Sequence, residues 1–256
     1  MFKSLIIAQN VLRESLRKKD FYVFLIFLLI LVVFLANINM FNVSGISRYL
    51  KEMSLEMAYL FSLIIVIVFS AKLMPQELGA KTIYPLLAKP VSRRDVLAGK
   101  FLGACFIAGV CFSIFYSLIG IAAALKGEGF SLDLFFQGYI LWSLQLMLMA
   151  AMVIFFSMHL TVSANITLSF CIYFLMNWFG PHIREISFML NKTSGIVLSL
   201  FYYLLPHFEF YDLRTRMVHM WTPLPAFIMG YIMLYTLIYV LLLISAAIYS
   251  FKKKIL

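Results

Sequence analysis

Four histidines, three cysteines and eleven carboxylates are the groups in this chain that could act on a substrate or hold a metal, and their spacing assembles no recognised centre. No carboxylates are paired inside an apolar run, no His-Glu-x-x-His pair stands on one helical face, and no Gly-x-Ser-x-Gly presents a nucleophile. Gly79-Ala-Lys81-Thr82 echoes the end of a phosphate-binding loop without the glycines that cradle phosphate. The chain is therefore not expected to be an enzyme, and ATP and Mg, if used, must sit on a partner. Met217-x-His219-Met220 has the soft donors that copper(I) takes. With 15 methionines present, interfacial packing is the reading for His159, His182, His207 and His219, and no metal or resident cofactor is expected. Cys105, Cys111 and Cys171 all lie in apolar runs, where a thiol packs as a small hydrophobe.

What must position such sparse polar groups is a membrane domain. The chain is 64% hydrophobic and 12% charged, about half the charge of a soluble globule. Charge-free runs cover residues 21–47, 57–71, 101–125, 134–183, 193–208 and 217–251. The run 134–183 would make a helix of about 75 Å, over twice the hydrocarbon thickness, so it must cross twice with a turn near residues 159–165. The reading is all-α with six spans near residues 21–40, 55–74, 101–125, 137–158, 165–182 and 226–251. Residues 193–208 are too short for a seventh and read as a re-entrant or surface helix. No cleavable leader is expected, the first span serving as an anchor.

Charge orients the spans. With both termini in the cytoplasm, fourteen of the 21 cations and four of the eleven acids fall on that side, so the whole surplus of ten lies there. A +10 chain is thereby explained without nucleic acid. The expected location is the bacterial or archaeal cytoplasmic (inner) membrane. Residues 1–20 read as an amphipathic interfacial helix, with Phe2, Leu5, Ile6, Leu12 and Leu16 near one face and anionic lipid as its partner. The tryptophans Trp142, Trp178 and Trp221 read as an interfacial belt.

The stretch 72–103 is the longest charged interruption, with six cations, two acids and three of the seven prolines. Pro75 suits the first turn of a short surface helix, stopped by Pro85. Pro90 holds Lys89 extended, and Ser92-Arg-Arg-Asp95 reads as a capping box that starts the third span. Gly99-x-x-x-Gly103 admits a close backbone neighbour.

Glu77, Gly79, Lys81-Thr82, Leu86-Leu87, Lys89-Pro90-Val91-Ser92-Arg93 and Gly99-Lys100 together resemble the motif between the second and third spans of type 2, exporter-like ABC transporter permeases. Lys81 stands where that family commonly has Gly before Thr. The segment Tyr203-Leu-Leu-Pro206-x-Phe-Glu209-x-Tyr-Asp212 is similar too, and the layout agrees over the whole chain. The resemblance implies a half-transporter: two copies, identical or not, on two ABC ATPase subunits. Residues 75–100 would then be the cytoplasmic coupling region, with Glu77, Gly79, Lys81, Thr82, Pro90, Ser92, Arg93 and Arg94 as coupling residues. The second and fifth spans would wall the path, and an apolar wall suits lipids, hydrophobic peptides, drugs or lipid-linked sugars.

The last outer region, residues 183–225, mixes apolar runs with charge. Pro206, Glu209, Asp212 and Arg216 read either as an outer gate, with Arg216 pairing the two acids, or as part of a helix that shields the dimer. Two rival functions stand beside the permease. A membrane immunity or assembly factor would bind a partner through the same basic stretch. A secondary transporter would need a buried ionisable group inside the spans.

Overall fold

The computed structural model describes residues 2–17, 46–79, 92–125, 129–180 and 205–254, with isolated positions between 22 and 30 and between 182 and 202. All regular structure among the described residues is helical: α1 (Phe2–Arg17), α2 (Ile46–Gly79), α3 (Arg93–Leu125), α4 (Leu132–Ser157), α5 (Val162–Phe174, continued by a π turn Leu175–Phe179), a 3₁₀ turn Phe208–Tyr211, α6 (Arg214–Val218) and α7 (Ala226–Lys254). Among the described residues five helices are long and apolar enough to cross a membrane: Lys51–Gln76, Arg93–Leu125, Leu132–Ser157, Val162–Phe179 and Ala226–Lys253. The expected first span, 21–40, lies outside the described residues apart from helical positions 22, 26 and 30; of the expected surface helix, 193–208, the described residues 194–196, 199, 200 and 202 are helical, whereas 205–207 are not.

The centre of the bundle is α4, which packs against α2, α3, α5 and α7. Its sequence has no polar face after Gln145, as a helix buried all round requires. Trp142 is 1% exposed, with Tyr59, Phe112 and Tyr116 rings 5.6–5.9 Å away, so it is a core residue and not part of an interfacial belt. Each such aromatic pair adds about 0.5–1.5 kcal/mol beyond the area it buries. Trp178 and Trp221 are exposed. Of the cysteines, Cys111 is buried, Cys105 half-buried and Cys171 exposed.

The run 134–183 folds as two helices joined by a turn, as its length required. Ser157 ends α4, the chain turns through residues 158–161, and α5 begins at Val162. Asn165 is fully buried in the first turn of α5 and donates from its Nδ2 to the Val153 carbonyl at 3.0 Å, while its Oδ1 accepts the Ser169 hydroxyl at 3.2 Å. A buried amide without those partners would cost about 1–3 kcal/mol, so the polar cluster that marks the turn in sequence also ties the hairpin.

Two expectations about helix limits are corrected. Pro75 does not start a new helix; α2 runs through it to Gly79. The donor that Pro75 lacks is the one that would meet the Ala71 carbonyl, and α2 tolerates that single loss because packing on α3 and α4 holds both sides. The helix that carries the second span also begins before residue 55, at Ile46.

Candidate functional site

Two constellations stand at opposite ends of the bundle. At one end gather the C-terminus of α2, the N-terminus of α3, the α4–α5 turn and the C-terminus of α7; this is termed the basic end. Ser92 and Asp95 form the capping box there. The Asp95 N–H donates to Ser92 Oγ at 3.1 Å, and the Ser92 N–H and hydroxyl donate to Asp95 Oδ2 at 3.2 and 2.7 Å. Such a cap stabilises the helix start by about 1 kcal/mol and fixes where the rod α3 begins. Arg93 donates from Nη1 to the Lys252 carbonyl at 3.1 Å, placing a cation at the C-terminus of α7, where the helix dipole favours it. His159, in the α4–α5 turn, bonds Ser250 at 3.0 Å. Arg94 is exposed.

Glu77 and Gly79 occupy the last turns of α2, whereas Lys81, Thr82 and Pro90 lie outside the described residues. The coupling residues are thus brought to one end only in part: the two helix termini are placed, and the chain between them is not described.

Gly99 and Gly103 receive α1. A Cβ at Gly99 would stand 2.7 Å from both Ile7 Cβ and the Ser4 carbonyl oxygen, and one at Gly103 would stand 2.8 Å from Val11 Cγ1. The face of α1 that packs is therefore Ser4, Ile7, Ala8 and Val11, a stripe at i, i+3, i+4 and i+7. Of the residues read as the apolar face in sequence, Ile6 is 57% exposed, whereas Leu12 is half-buried and packs against the core.

Lys100, counted in sequence among the surface cations of the basic stretch, is 1% exposed. Its ammonium donates to the Leu73 carbonyl at 2.7 Å, two residues before Pro75. A buried ionisable group inside an apolar helix is therefore present after all. Its stem spans from α3 to α2 at the basic end.

At the other end, the loop end, the segment before α7 folds onto α2, α4 and α5. Pro206 is buried ahead of the 3₁₀ turn. Glu209 accepts the Tyr202 hydroxyl at 3.1 Å, and a Cβ at Gly180 would meet Glu209 Oε2 at 3.4 Å. Asp212 does not pair with Arg216. Its carboxylate takes Arg214, from Nε at 2.8 Å and from the backbone N–H at 3.0 Å, because Arg214 starts α6 directly above it. Arg216 instead points to the Thr222 carbonyl at 3.5 Å. Arg214 also forms an ion pair with Glu56 of α2, a contact no local spacing announces. Gln137 clamps the backbone of Leu224, giving 3.0 Å and taking 2.9 Å.

His207 is buried between Tyr202 and Phe210, with Tyr235 Oη at 3.2 Å from its Nδ1. Burial holds its imidazole below the ordinary value, and Glu209 opposes that only partly. The copper reading gains nothing here. Met217 is buried with its sulfur accepting the Tyr116 hydroxyl at 3.7 Å, while His219 and Met220 are exposed, and no group of three His, Cys, Asp or Glu side chains is placed for a metal among the described residues.

The family described as ABC-2 family transporter protein matches residues 5–256, which spans α1, both ends of the bundle and every helix between. The chain belongs to the ABC-2 transporter family. No curated protein matches it closely enough to add to this. As an ABC-2 membrane protein it is a multi-pass chain of the permease type, and permeases of this family typically work with an ATPase subunit. The basic end of this ABC-2 chain carries Glu77, Gly79, Ser92, Arg93, Gly99 and Lys100 of the motif, and the loop end carries the charged segment that precedes its final helix.

Proposed function

We propose that the chain is the membrane subunit of an ATP-driven exporter of the inner membrane, working as a pair of copies on two separate ATPase subunits that bind ATP and Mg. The basic end faces the cytoplasm in this reading, with both termini there. The ATPase docks on the stretch from Glu77 to Arg94, and Lys81, Thr82 and Pro90 complete the docking surface. Substrate passes between the two copies along α2 and α5. On α5, Leu168, Phe174 and Trp178 are exposed and supply an apolar wall.

The observation that carries this reading is mechanical. A continuous α2 ends at Gly79, α3 restarts under a capping box at Ser92, and only twelve residues join the two. A push on that short connection moves two rods that are already packed together. Arg93 ties the start of α3 to the end of α7, so a third helix follows. Nothing in the chain itself binds nucleotide by motif, which leaves the fuel to the partner.

The test is Glu77→Arg combined with Gly79→Trp, in protein that still reaches the membrane and runs as a single species in detergent. Loss of ATPase co-purification and of nucleotide-dependent transport is the expected result. Retention of both would remove the docking surface from these residues.

A further inference from the structure

Arg214 joins two elements that are remote in sequence. Asp212, two residues before it, shapes the loop locally, with Arg214 Nη2 2.5 Å from Asp212 Oδ2. Glu56 is different, because it stands on α2, the same rod whose far end is Gly79. Twenty-three residues of unbroken helix separate Glu56 from Gly79, about 35 Å. A rod of that length moved at one end shifts at the other, and the Arg214–Glu56 pair lies across the contact that must slide.

The neighbouring carboxylate on α2 is Glu52, one turn before Glu56 and close enough for its charge to bear on Arg214. Residues four apart on a helix share a face, about 6 Å apart along the axis. Moving α2 by one turn toward the basic end brings Glu52 to the place that Glu56 now holds. One-turn ratchets of this kind are a known way for packed helices to switch between two discrete arrangements.

We propose that Arg214 is the positioning residue of the loop-end gate, a latch with two stations: Glu56 in the arrangement seen here and Glu52 after α2 has moved one turn. The proposal rests on the reading of the loop end as a gate. It assigns the gate's contact to Arg214, Glu56 and Glu52 and not to Arg216. Throughout the switch the guanidinium keeps Asp212, so the charge is never left without a partner.

The experiment reads the gate without substrate or ATPase. Ser62 is fully buried on α2 below the latch and bonds the Ala58 carbonyl at 2.7 Å, so Ser62→Cys is close to isosteric. In full-length protein with Cys105, Cys111 and Cys171 changed to Ala, intact cells are treated with a membrane-impermeant methanethiosulfonate reagent and labelling of position 62 is timed. Glu56→Gln and Arg214→Gln are each expected to raise the labelling rate about tenfold, Glu52→Gln, which removes the second station, to lower it severalfold below the parent rate, and Arg216→Gln to leave it unchanged. Arg214→Lys, which cannot fork between two carboxylates, is expected to fall between, and it stands in if Arg214→Gln does not run as a single species. Equal rates for Glu56→Gln and Glu52→Gln, or no response to either Arg214 variant, overturn the latch. Those outcomes leave ATPase docking at the basic end untouched. Loss of docking with the labelling pattern intact would sink the permease reading and leave the latch standing.

Discussion

Arg93 and Lys252 are 159 residues apart in the chain and meet through one hydrogen bond of 3.1 Å, from the guanidinium of α3's first turn to the carbonyl near α7's last. This bond ties the start of α3 to the end of α7. Arg93→Ala removes a charge-assisted bond and a favourable dipole contact, each modest at a partly exposed site. The expected loss is about 1 kcal/mol, read as a lowered midpoint of thermal unfolding in detergent. Arg93→Lys should recover part of it. An unchanged midpoint would show that the two ends are held by packing alone.

The seat of α1 on Gly99 and Gly103 gives a second prediction. Gly99→Leu places side-chain carbons where Ile7 and the Ser4 carbonyl already stand, so α1 must lift off. Overpacking of this kind costs about 1–3 kcal/mol. Limited proteolysis within residues 2–17 should become faster in Gly99→Leu than in the parent. An unchanged rate would mean that α1 is not held by this contact.

His207 sets a pH dependence. Its folded-state value is depressed by burial, so between that value and about 6.5 the unfolded chain binds more protons than the folded one. Stability from this group is complete above about 6.5 and is lost as pH falls through the folded value. Purified protein should therefore soften on mild acidification, and His207→Phe, which keeps the ring between Tyr202 and Phe210, should flatten that part of the profile. A profile with the same slope in both proteins would assign the acid sensitivity elsewhere.

The parts of this architecture that sequence announced are those encoded locally. The capping box of Ser92 and Asp95 needs only residues three apart, and the turn before Asn165 needs only a polar cluster in a run too long for one crossing. The Gly99 and Gly103 pair announced a close neighbour but not which one, because α1 carries two faces and the packed one is Ser4, Ile7, Ala8 and Val11. Pro75 misled because a proline reads the same at a first turn as inside a helix braced by neighbours. The pairing of Asp212 with Arg214 is not legible in sequence because helical spacing favours partners three or four apart, whereas the turn into α6 brings residues two apart together. Glu56 at Arg214 and Trp142 in the core depend on contacts remote in sequence, which no spacing rule reports.

Lys100 shows the same limit and yields the last prediction. A lysine flanking an apolar run reads as a snorkelling cation, and only the packing of α3 on α2 reveals that its ammonium is sealed against the Leu73 carbonyl. A hydrogen bond from a charged donor contributes about 1.5–3 kcal/mol, and burying the ammonium costs a comparable amount, so the two nearly cancel. Lys100→Met keeps the stem and removes both terms, and its thermal midpoint should stay close to that of the parent. Lys100→Glu puts a carboxylate against a carbonyl in the same buried place and should destabilise by about 3–5 kcal/mol. If the bond exists to carry motion from α2 to α3 beside Pro75, Lys100→Met will fold normally and still bind the ATPase, yet its nucleotide-driven transport will fall. A Lys100→Met protein with parental stability and parental transport would reduce the buried lysine to a filler of space.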